Sequence, residues 1–194
     1  MFEKLSNQIA NMLVKNRIIQ KNEFEIYRYG FEMLIYFIIN ISIILFISII
    51  FNKTIQTIIF LICYCTLRQF TGGYHARNYT ECTLTFVLMY LSTIFISNNI
   101  DIDKFNYIPV LIIIVSLMII NTIAPLDNRN KPITKIEKKY YKKITQIIVL
   151  VISTILILSI VFNIYTEYTM YSLFSIIWVA ILLILGLKQK NTIN

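Results

Sequence analysis

The chain has 194 residues, of which 57% are hydrophobic and only 14% charged, and it carries a net charge of +8. Soluble domains average about 45–50% apolar and about 25% charged residues, and a soluble globule could not hide this much apolar surface without exposing aggregating patches. The composition excludes a soluble enzyme, a nucleic-acid module and a disordered chain, and the length suits one domain.

Residues 1–30 carry Lys4, Lys15, Arg17, Lys21 and Arg28 with Glu3, Glu23 and Glu25. They lack the continuous apolar core of a signal peptide. Phe2, Leu5, Ile9 and Met12 recur at helical spacing with Leu13 beside them, and Lys4, Asn7, Gln8, Asn11 and Lys15 fill the other positions. This pattern predicts an amphipathic helix, either on the inner membrane surface or packed against cytoplasmic loops. Asn22 followed by Glu25 resembles a capping signal that opens the first long span.

Six stretches then lack any charged residue: 33–52, 54–67, 82–100, 105–126, 144–166 and 168–187. A helix needs about 20 apolar residues to cross a bilayer core of about 30 Å. Five of the six have 19 to 23 residues and meet that length. The expectation is an all-α, polytopic helical membrane protein with about six spans and an N-terminal amphipathic interfacial helix. It forms a single domain over 1–194, with the interfacial segment in 1–30, the spans in 31–187 and a tail at 188–194. With both ends inside, the segments 1–32, 68–81, 127–143 and 188–194 hold 16 of the 18 lysines and arginines. That is the bias the positive-inside rule requires. No span carries a charge near its middle, which counts against an ion-coupled transporter, and no internal repeat suggests an inverted-repeat carrier.

The second stretch, 54–67, has 14 residues and covers about 21 Å, about 9 Å short of the hydrocarbon core. Either Arg68 and Gln69 continue the helix, or the following loop dips below the interface where protein shields it. Gly72-Gly73 should break the helix. His75, the chain's only histidine, follows two residues later. On one straight helix His75 and Cys82 would stand about 10.5 Å apart, so a working pair needs a bend between them. Asn78 and Thr80 are both good N-caps, and either places Cys82 in the first turn of the next helix. Free backbone amides and the helix dipole there favour a thiolate, and Arg68 and Arg77 add positive potential. A cysteine nucleophile with a histidine base needs this arrangement. The plainer alternatives are an interfacial polar histidine and a small core cysteine. Cys63, Cys65, His75 and Cys82 have the number of ligands for a metal site, but Cys63 and Cys65 diverge within one helix. No metal and no cofactor is expected.

Arg68…Gly72-Gly73-Tyr74-His75-Ala76…Cys82 resembles the signature of the accessory gene regulator B (AgrB) family, bacterial membrane endopeptidases that mature cyclic quorum-sensing peptides. Ala124-Pro125…Asn130-Lys131-Pro132 is a second likeness, and chain length, span count and the basic loop also fit. The resemblance implies Cys82 as nucleophile and His75 as its base. It implies a propeptide substrate with an amphipathic leader and an acidic tail. The enzyme would cleave off the tail through an acyl-enzyme thioester and promote cyclisation to a thiolactone or lactone. It further implies a multi-pass protein of the bacterial cell membrane, with cytoplasmic termini and active site, and a homodimer. The amides of Gly72, Gly73 or Cys82 are candidate oxyanion donors, and Gln69 or Asn78 a candidate for orienting the imidazole. Arg68, Arg77, Arg129 and Lys131 are candidates for pairing with the acidic tail. The bland reading of the basic loop is topology plus attraction to anionic lipid. Partners are thus the propeptide and membrane lipid, with no nucleic acid. The competing expectations are a non-catalytic membrane peptide exporter or binding protein, and a purely structural membrane protein.

Overall fold

Where no water is available, every backbone N–H and C=O must be paired within the segment, so long uncharged runs fold as helices. The computed structural model describes residues 2–74, 78–99, 108–126, 134–162, 164 and 166–193. Its helices are α1 (Phe2–Lys15), α2 (Phe24–Ile50), α3 (Thr54–Thr71), α4 (Tyr79–Asn99), α5 (Ile108–Ile123), α6 (Lys135–Val161) and α7 (Glu167–Ile193), with a 3-10 turn at Lys21–Glu23. Among the described residues no strand forms, and an isolated bridge pairs Gly72 with Leu126. The protein is an all-α membrane protein. Four segments, Lys21–Ile50, Tyr79–Asn99, Lys135–Val161 and Glu167–Asn191, are long and apolar enough to cross a bilayer. The apolar helix α5 is shorter, at 16 residues. α3 has 18 residues and is about 27 Å long.

Two compact units form, Met1–Ile47 and Ser48–Asn194. In the first, Ser6 and Ala10 are the buried line of α1, while Leu5 and Met12 of its apolar face stay exposed. Arg28 bridges Glu3 at 3.6 Å and also pairs with Glu25. The capping signal expected at Asn22 and Glu25 forms two residues earlier. Glu23 accepts the Gln20 N–H at 2.9 Å, closing the three-residue ring that a capping box requires. Glu25 instead faces Arg28, three positions along the helix.

In the second unit α7 is the central helix, touching α3, α4, α5 and α6. Met170, Tyr171, Leu173, Phe174, Ile176, Val179, Ala180, Leu182 and Leu183 are all buried, while Ile181, Ile184 and Leu185 stay exposed, so α7 is enclosed over most of its surface and open on a narrow face. Polar Thr57, Thr93, Ser116 and Ser175 are buried too, whereas Ile62, Phe95, Leu111, Met118 and Leu150 are exposed. Small polar side chains inside and large apolar ones outside is the polarity that lipid favours. Phe60 stacks on Tyr64 at 5.6 Å, and Tyr64 on Phe86 at 5.2 Å, joining α3 to α4. Trp178 donates its indole N–H to Thr93 Oγ1 at 3.0 Å, joining α7 to α4.

The ends of α3 and α7 fix their relative direction. Asn52, in a left-handed conformation at φ +54°, turns the chain into α3, a role asparagine tolerates. Lys53 Nζ then meets Glu167 Oε1 at 2.7 Å, and Gln56 donates to the same carboxylate at 2.8 Å. At their far ends the Tyr74 N–H reaches the Leu182 carbonyl at 2.8 Å. Joined at both ends in this order, α3 and α7 run parallel.

Candidate active site

α3 continues through Arg68 and Gln69 and stops where the glycine pair begins. Gly72 has φ +65° and Gly73 φ +122°, values that cost a side-chain-bearing residue about 1–3 kcal/mol. The half-buried Arg68 braces this turn from inside. Its Nη1 donates to the Gly72 carbonyl and its Nη2 to the Tyr74 carbonyl. The Gly72 N–H donates back to the Arg68 carbonyl at 3.3 Å, and the Leu126 N–H donates to the Thr71 carbonyl at 2.9 Å. The Ala124-Pro125 segment, joined by a cis bond, thereby carries the end of α5 onto the end of α3. Phe70 meets Tyr141 of α6 edge to face at 5.9 Å. Four helices therefore converge on this turn, through Thr71, Leu126, Tyr141 and Leu182. Leu182 lies six residues before Lys188, about 9 Å along the α7 axis. The turn is therefore set back from the basic end of that helix, with its backbone shielded by protein.

α4 opens after Asn78, whose carbonyl accepts the Cys82 N–H at 3.1 Å. Asn78 rather than Thr80 is therefore the residue that precedes the helix, and Cys82 sits in the first turn. Cys82 is an exposed free thiol, whereas Cys63 and Cys65 are half-buried. Arg68 lies within electrostatic reach of Cys82 and of Tyr64. Cys63 lies beside Ser172 and Ser175 of α7, between packed helices. No group of metal-ligating residues occurs among the described residues.

The structure thus brings together Arg68, Gly72, Gly73 and Tyr74, with Cys82 near the guanidinium. Gln69 and Asn78 are exposed, on the last turn of α3 and just before α4. His75, Arg77, Arg129 and Lys131 lie outside the described residues. Three partners of the turn were not singled out from the sequence: Leu126, Leu182 and Gly186. The first two act through backbone atoms, which any residue carries. Gly186 did leave a signal, because it lacks a side chain inside an otherwise bulky apolar stretch.

Fold and site together define a polytopic helical membrane protein with an exposed cysteine in the first turn of α4 and a glycine turn locked among its helices. The family model described as accessory gene regulator B matches residues 6–183. An AgrB-like protein 2 of Clostridium perfringens strain 13 is 30% identical over 149 residues, covering 74% of this chain and 70% of the relative. An AgrB-like protein of Clostridium perfringens strain SM101 matches with the same identity and coverage. No solved structure matches the chain. The chain belongs to the accessory gene regulator B family. That membership supports a part in quorum-sensing peptide processing at the membrane.

Proposed function

We propose that the protein is a cysteine endopeptidase of the cell membrane. It removes the acidic tail from a quorum-sensing propeptide and promotes closure of the remaining peptide to a thiolactone or lactone. The observation that carries this reading is the placement of Cys82, an exposed free thiol in the first turn of α4, near the guanidinium that braces the turn leading to His75.

In this scheme His75 takes the proton from Cys82, and the thiolate attacks the carbonyl that joins signal segment to tail. The C–N bond breaks as His75 returns the proton to the leaving amine. The products are a released tail and a thioester between the peptide and Cys82. A thiol or hydroxyl of the bound peptide then attacks the thioester, its proton passes to His75, and the Cys82 thiolate departs. Exchange of one thioester for another is nearly balanced in energy, whereas hydrolysis is downhill and wastes the intermediate. Water must therefore be kept out, and a turn set back from Lys188 and walled by α5 and α7 suits that need. The Gly72 and Cys82 amides already donate to Arg68 and Asn78, so Gly73 takes the role of oxyanion donor. Gln69 or Asn78 orients the imidazole. Arg68 is engaged with two carbonyls, which leaves Arg77, Arg129 and Lys131 to meet the acidic tail. The exposed Leu5 and Met12 of α1 rest on lipid at the inner surface.

Co-expression with a candidate precursor, followed by mass measurement of the peptide, tests the reading. Cys82→Ala and His75→Ala leave the precursor uncut, and Cys63→Ala processes it normally. Normal processing by Cys82→Ala overturns the proposal.

A further inference from the structure

Gly186 of α7 is buried against the turn. A Cβ at this position would lie 2.5 Å from the Tyr74 backbone nitrogen and 2.6 Å from the Gly73 carbonyl carbon. Both are main-chain atoms, so no rotamer change makes room and the turn itself must shift. One helical turn earlier, the Leu182 carbonyl holds the Tyr74 N–H at 2.8 Å. The fit is reciprocal, because a Cβ on Gly73 would lie 3.1 Å from that same carbonyl oxygen. α7 thus carries a two-residue seat, a carbonyl and a missing side chain, that receives Gly73 and Tyr74. The next residue in the chain is His75. Cys82 belongs to α4, which α7 contacts through Trp178 and Thr93, two turns away from Gly186.

We infer that Gly186 is a positioning residue for peptide cleavage: it lets the α7 backbone seat Gly73–Tyr74 and so sets the place of the Gly73 amide, the proposed oxyanion donor. This rests on the proposed cysteine chemistry and adds a control point on a helix distant in sequence. Gly186→Ala displaces the seat while leaving the nucleophile's helix in register.

The test uses the full chain reconstituted in lipid vesicles with a candidate precursor peptide. For Gly186→Ala, kcat falls on the order of 10- to 100-fold, the loss expected from displacing a catalytic donor by about 1 Å. KM stays within about twofold, because peptide docking is untouched. The neighbouring exposed Leu187→Ala keeps the wild-type rate. Hydrogen exchange supplies a second readout: the Tyr74 amide is protected in the wild type and loses protection in Gly186→Ala, while α4 and α7 keep theirs. A wild-type kcat in Gly186→Ala, or a raised KM with kcat unchanged, overturns the inference. If Gly186→Ala is not recovered from membranes, the wild-type exchange decides, and an unprotected Tyr74 amide overturns it. Cleavage by Cys82→Ala would instead sink the underlying enzyme reading, so the two failures are distinct.

Discussion

The guanidinium of Arg68 reaches two carbonyls that flank Gly73, those of Gly72 and Tyr74. A planar fork can do this; an ammonium on a flexible stem acts as a point charge and cannot hold both acceptors in one geometry. Arg68→Lys is therefore expected to keep the chain in the membrane and lower precursor cleavage on the order of 10- to 100-fold. Mass measurement of the processed peptide, with membrane-bound protein quantified by immunoblot, checks this; full processing would show that the fork does not matter. Much of this site was legible in the residues themselves. The glycine pair marked the break, Asn78 and Thr80 together bracketed the start of α4, and under either Cys82 fell in its first turn. The reach of Arg68 onto the turn was not legible, because its acceptors are carbonyl oxygens that leave no mark in residue type.

Uncharged stretches marked where the apolar helices lie, but not where they end. α6 begins at Lys135, nine residues before its uncharged stretch opens at 144. Basic residues are comfortable on a helix once it emerges into water, so charge marks the membrane boundary and not the helix boundary. What starts α6 is a capping box. Thr134 Oγ1 accepts the Glu137 N–H at 3.3 Å, and Glu137 accepts the Thr134 N–H at 2.9 Å. Thr134→Ala should cost about 1 kcal/mol of stability, read as a lower midpoint of thermal unfolding in detergent, with Ser at the same position restoring most of it. An unchanged midpoint would mean that this end of α6 is held by other contacts. α3 shows the same offset at its C-terminal end: its helix outlasts the uncharged stretch by four residues, through Thr71, the continuation through Arg68 and Gln69 that the sequence allowed. Packing of Phe70 on Tyr141 and the Leu126 bond hold that last turn.

Across the molecule, the parallel run of α3 and α7 ties the Lys53–Glu167 ion pair to one end and the glycine turn to the other. The charge bias of the loops predicts that the first end faces outside and the second the cytoplasm. Single cysteines placed by Lys104→Cys and Lys142→Cys, in a chain with Cys63, Cys65 and Cys82 replaced, test the assignment. A membrane-impermeant maleimide should label position 104 on intact cells and position 142 only after permeabilisation; the reverse pattern would invert the topology. The helical class and its central charge pattern were legible because lipid imposes them on composition, whereas the identity of α7 as the central helix needed three-dimensional contacts. Gly72, Gly73 and Gly186, three of the chain's four glycines, meet at one crossing of main chains, while Gly30 has no neighbour within 4 Å of its missing side chain. Every missense change at a glycine codon adds atoms. Among the glycine codons, intolerance of change is therefore gathered into three, two adjacent and one more than a hundred positions downstream, that must stay empty together.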